Sequence, residues 1–192
     1  MGRPLKWLST ALVLLLSACF GGTLYNQHFA HSYEFLELMA FHGGKDMRLV
    51  VSGDPYSIDD GALNRAVGAA MSGRNEGLPI NFTETPQVET GPGRIEILFQ
   101  PPANAIGARL CRGETKPDPN GGSADRALIV YCKRDRDLSS LWLKLPEGAV
   151  PGNQAFNDAF ALAIRELLPS DPPLDRGDRC LNCLVELPNR IR

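Results

Sequence analysis

The chain predicts an α+β fold: a mixed β-sheet with an amphipathic helix and a late buried helix packed on it. Three observations carry this reading. Short runs rich in β-branched and apolar residues, such as Met47-Arg48-Leu49-Val50-Val51, Arg94-Ile95-Glu96-Ile97-Leu98-Phe99 and Ala127-Leu128-Ile129-Val130-Tyr131-Cys132, are bounded by Gly, Pro or charged residues, as strands are. Two other segments repeat apolar residues at steps of three and four, as a helix with one buried face does. The order strand, helix, strand, strand, long loop, strand, helix is met by laying helices on a single mixed sheet.

Residues 19–44 read as a tether with a short helix. Tyr33 to Phe41 is strongly helix-forming, and Gly43-Gly44 would end it. The globular body is expected over residues 45–170. Its first strand, 47–51, stops at Gly53-Asp54-Pro55. Asp59 or Asp60 then caps a helix with Leu63, Ala66, Val67 and Ala70 on one face. Ile80-Asn81-Phe82-Thr83-Glu84 alternates as a half-buried strand. The strand at 94–99 is stopped by Pro101-Pro102. A polar loop over 115–125 leads to 127–132, an apolar strand buried on both faces or nearly so. Arg134-Asp135-Arg136-Asp137 alternates in charge and suits a solvated turn. Leu138 to Leu145 follows as a weaker strand. Asn153 or Asn157 begins the last helix, whose core face is Phe156, Phe160, Ala163, Ile164, Leu167 and Leu168. Pro169 and Pro172-Pro173 end it, and residues 171–192 form a cysteine-bearing tail.

Composition narrows the function classes. A chain of 192 residues with 43% hydrophobic residues buries a real core. A formal net charge of −2 gives no footprint for nucleic acid. No P-loop, dinucleotide fingerprint or nucleophile elbow is present, so no cofactor is expected.

The amino terminus is the most specific signal. Arg3 and Lys6 precede an apolar run from Trp7 to Leu16, and Leu16-Ser17-Ala18-Cys19 follows. The run has the length of a signal-peptide core and is too short to span a bilayer. These residues resemble a bacterial lipoprotein signal peptide with its lipobox. The resemblance implies that residues 1–18 are removed and that Cys19 is acylated, so that the partner is a lipid bilayer. Phe20, where aspartate marks inner-membrane retention in enteric bacteria, points by the same resemblance to the outer membrane, facing the periplasm.

Lipidation of Cys19 would leave Cys111, Cys132, Cys180 and Cys183. An even remainder in an oxidising envelope reads as two disulfides. Pairing Cys111 with Cys132 and Cys180 with Cys183 needs no long-range closure; crossed pairings would pin the tail to the body. Cys180-Leu181-Asn182-Cys183 is also a C-x-x-C, but it does not open a helix as redox motifs do. His28 and His31 have the i, i+3 spacing of two metal ligands on a helix, but they lie within the expected tether, where solvated side chains are the better account and no metal site is expected. Glu84, at a strand end, has the chemistry of a general base and no nameable partner.

The layout from Arg48 to Phe99 resembles the amino-terminal half of zincin-type metallopeptidases. That resemblance implies His-Glu-x-x-His on a late helix, two imidazoles on one face holding zinc beside a water-activating glutamate. This chain has Arg165-Glu166-Leu167-Leu168-Pro169 instead. Arginine stays protonated and proline offers no ligand atom, so no metal site is expected there. The reading is a membrane-anchored envelope lipoprotein, a non-catalytic binding or structural module with an unknown envelope protein as partner. The alternatives are an envelope hydrolase using Glu166, or a thiol–disulfide module using Cys180 and Cys183.

Overall fold

The structure, a computed structural model, describes residues 22–88 and 91–173. Its strands are β1 (Thr23–Phe29), β2 (Asp46–Ser52), β3 (Asn81–Thr83), β4 (Gly93–Phe99), β5 (Arg126–Lys133) and β6 (Arg136–Lys144). Its helices are α1 (Phe35–His42), α2 (Asp60–Met71), α3 (Gly107–Cys111) and α4 (Gln154–Leu167). One six-stranded sheet runs β1-β6-β5-β4-β2-β3. β2 is parallel to both β3 and β4, and the remaining pairs are antiparallel. The expected α+β fold on a mixed sheet is therefore present.

Residues 23–29 correct the expected tether. They form an edge strand, with Thr23 opposite Lys144 and Phe29 opposite Ser139. The sheet thus begins well before Lys45. β1 reads TLYNQHF, too polar to announce a strand, because its side chains meet solvent along much of its length. A bulge between Tyr25 and His28 accommodates Asn26, whose φ is 51°.

Helix ends follow local chemistry. The Asp59 carboxylate accepts the Ala62 N–H at 2.9 Å, and the Asn153 side chain accepts the Phe156 N–H at 2.9 Å. The β5–β6 hairpin turns at Arg134-Asp135, with Arg134 at φ 58°, inside the charged stretch expected to turn.

The register defines two faces. Leu49, Ile95, Tyr131 and Ser139 stand in one row, and Ile97, Ile129 and Leu141 in the next. This face carries α2 and α4, with Leu38 of α1 in the same core. Phe156, Phe160 and Phe99 interlock at its centre. The other face carries Leu98, Leu128, Val130 and Cys132, covered by α3 and the loop before it. Cys111 and Cys132 form a disulfide there, with Cα atoms 5.5 Å apart. This is the short-range pairing of the two foreseen. Cys19, Cys180 and Cys183 lie outside the described residues.

The β3 edge is closed by Ser72 and α2. The Ser72 hydroxyl accepts the Phe82 N–H at 2.9 Å and donates to the Gly68 carbonyl, and α2 lies against the Phe82 carbonyl at Gly68, where a Cβ would come within 2.6 Å. No strand lies beyond β1 at the opposite edge among the described residues.

Candidate functional site

The α3-covered face holds a cleft of about 470 Å³ between the sheet and residues 103–108. Its polar side chains come from strands more than a hundred residues apart in the chain. His28 of β1 lies directly opposite Ser140 of β6, and opposed residues in a ladder point to one side. Asp137 follows on the same face, toward the hairpin. Asn26 enters at the bulge, and Trp142 supplies an aromatic wall beside Leu128 and Ile106. The Trp142 ring lies 5.9 Å from the Tyr25 ring, which backs it on β1.

Gly107 makes this cleft. A Cβ there would stand 2.8 Å from an Asp137 carboxylate oxygen and 3.1 Å from the Ser140 Cβ. Only glycine lets α3 approach the sheet so closely. The roof is fixed from the other side by Arg94. Its Nε pairs with Glu96 at 2.7 Å, one Nη donates to the Cys111 carbonyl at 2.7 Å, and the other to the Arg134 carbonyl at 2.6 Å.

The cleft does not present the geometry of an acyl-transfer triad among the described residues. Among the described residues no side-chain hydrogen bond joins Asn26, His28, Asp137 and Ser140 to one another. In a Ser-His-Asp triad the imidazole stands between hydroxyl and carboxylate. Here Ser140 stands between His28 and Asp137. Converging polar groups in an apolar-walled cleft are free to pair with a ligand.

Two other hollows are smaller in chemical content. One, of about 220 Å³, is lined by His42, Asp46, Arg48 and Arg94. His42 is buried, and desolvation holds its imidazole below the ordinary histidine value despite a bond to the Asp46 backbone. Gly93 is needed beside it, since a Cβ would come within 2.7 Å of His42 Nε2. The other hollow, between α2 and β3, is lined by Asn64, Arg65 and Glu84. Glu84 is exposed at its rim.

The remaining sequence candidates are dispersed. Glu166 is exposed on α4 and lines none of these three hollows; its backbone carbonyl accepts Gln27 Nε2 at 2.6 Å. Leu167 and Leu168 of the same stretch are buried in the core. His31 lies in the turn after β1 rather than one helical turn from His28. No group of three His, Cys, Asp or Glu side chains that could hold a metal occurs among the described residues. Sequence spacing gave no signal for the His28–Ser140 pair, which exists only through the β1–β6 register.

No family model matches this chain. No curated protein and no solved structure matches it either.

Proposed function

We propose that this protein is an envelope lipoprotein, held on a bilayer by acyl chains on Cys19, that binds a ligand in the cleft beneath α3 without transforming it. The observation that carries the reading is the convergence of the Asn26, His28, Asp137 and Ser140 side chains, which make no hydrogen bond to one another, beside Trp142. Such a set suits a hydroxyl-rich ring, a saccharide for example. The indole offers an apolar platform, and the four polar side chains offer donors and acceptors to hydroxyls. The buried Cys111–Cys132 disulfide supports an oxidising compartment outside the cytosol. Phe20 after the acylated cysteine favours the outer membrane. Descent from a zincin-type domain that lost its metal belongs to the same proposal. Its support is the parallel β2–β4 pair with α2 packed on the sheet, and Arg165 and Pro169 where ligands would stand.

The test has two stages. Full-length protein expressed in a Gram-negative host is measured by intact mass, with and without reduction. An acylated terminus at Cys19 supports the anchor; an unacylated, full-length or differently cut chain overturns it. Tryptophan fluorescence of the mature protein is then titrated with envelope saccharides. Saturable change that is lost in Asp137→Asn and His28→Ala, both at exposed or half-exposed positions, supports the cleft. Equal binding by wild type and variants, or none, removes it as the ligand seat.

A further inference from the structure

We infer that the anchor also fixes the orientation of the domain: the end of the sheet where β1 begins faces the bilayer, and the end bearing α1 faces away. The inference rests on acylation of Cys19 as proposed above. Only residues 20–22 separate Cys19 from Thr23. An extended chain advances about 3.3–3.6 Å per residue, so the acylated residue and the start of β1 lie within about 14 Å of each other.

The leash joins a rigid body at once. Thr23, Leu24 and Tyr25 pair with Lys144, Leu143 and Trp142. Gly22 is already packed, since a Cβ there would stand 2.8 Å from a Leu143 methyl and 3.0 Å from the Ala159 Cβ. Nothing between Gly22 and the sheet can pivot without unpairing β1. The end of the sheet nearest the lipid is therefore the one formed by Thr23, Lys144 and Arg126, together with the loop that exposes Val150.

The opposite end is set by the strand directions. β1 finishes beside Ser139, next to the Arg134-Asp135 turn, and runs alongside five residue steps of β6, which carries the chain about 17 Å from where it began. α1 follows there. Leu36 is 81% exposed and Leu78 58% exposed, and Leu78 lies against the carboxyl end of α1 beside Gly43. These apolar side chains thus stand on the side away from the membrane and are not lipid-inserting groups. The His28–Ser140 cleft opens on the wall between the two ends, so its ligand enters along the bilayer surface rather than through it.

The chain supplies its own reporter. It has two tryptophans, Trp7 and Trp142, and removal of the signal peptide leaves Trp142 alone. Trp142 sits opposite Tyr25, close to the proposed membrane end. Mature lipidated protein is reconstituted in phosphatidylethanolamine–phosphatidylglycerol vesicles bearing dansyl headgroups, and energy transfer from Trp142 is read. Strong transfer is expected; inserting about 20 Gly/Ser residues before Gly21, with a mean reach of about 25 Å, should cut it by at least about twofold. A Trp142→Phe, Phe41→Trp variant moves the donor to the far end and should show weak transfer without the insert. Intact mass and vesicle flotation separate the two layers of the argument. A chain that is acylated and floats, yet shows weak transfer from Trp142 or equal transfer from both donor positions, overturns the orientation and leaves the anchor standing. A chain that is not acylated overturns both.

Discussion

The two faces of the sheet are held by different means. On one, α2 and α4 bury a continuous apolar core in which Phe156 and Phe160 lie 4.6 Å apart between ring centroids. On the other, α3 has five residues and no side-chain cap, too short to stand without support. Its apolar cluster is little more than Leu98, Ala105, Leu110, Leu128 and Val130 around the cysteines. The disulfide and the Arg94 bonds replace the area that is missing. Where helices are long, burial alone holds the fold; where the cover must stay thin to leave a cleft, covalent and polar ties take over.

The sharpest way to break this contrast is to empty each face in turn. Phe160→Ala removes a fully buried ring and is expected to cost about 3–5 kcal/mol, read as a lower urea midpoint at unchanged slope. A loss below about 1.5 kcal/mol would mean the helical face is not the main store of stability. The double variant Cys111→Ala, Cys132→Ala is expected to cost about 2–4 kcal/mol. Its hydrogen-exchange protection should fall in α3 and residues 100–125 while α2 and α4 stay protected. Uniform loss would show that the faces open as one unit.

Alkali should act on the helical face alone. Tyr33, Tyr56 and Tyr131 all belong to or pack on its core, and burial raises each phenol above its ordinary value, Tyr56 to about 12. Tyr33 also donates to the Pro169 carbonyl at 2.8 Å. The neutral phenols are the folded-state form. Their contribution is intact below the unfolded value near 10 and is lost as pH rises from there toward the folded values. At pH 10.5 the expected cost is at most about 1 kcal/mol per tyrosine, measured by urea unfolding at pH 9 and 10.5. Unchanged stability would show that these rings are open to solvent. The smallest effect belongs to a helix end: Asp59→Ala should cost about 1 kcal/mol by removing the α2 cap, checked by thermal melting.

Much of the helical face was legible in the sequence because periodicity and caps report on burial directly. The strands at Met47, Arg94 and Ala127, the Asp59 and Asn153 caps and the two amphipathic helices are all local signals. β1 was not legible. Its partner is supplied by β6, more than a hundred residues later, and its exposed side chains carry no alternation. The cleft was hidden for the same reason. His28, Asp137 and Ser140 are unremarkable where they stand in the chain, and Gly107 signals a close approach only once the roof is seen above the sheet.

The closed β3 edge has a consequence for how copies of this protein can associate. A sheet with two open edges can add neighbours on both sides and grow without limit. Here Ser72 and the α2 backbone at Gly68 occupy one edge, which leaves β1 as the edge open to another strand among the described residues. Two copies joining through β1 would satisfy each other and stop, a two-fold pair rather than a fibre. If acyl chains on Cys19 concentrate the protein on a surface, where collisions are frequent, one serine hydroxyl and one glycine without a side chain would favour pairs over open-ended growth.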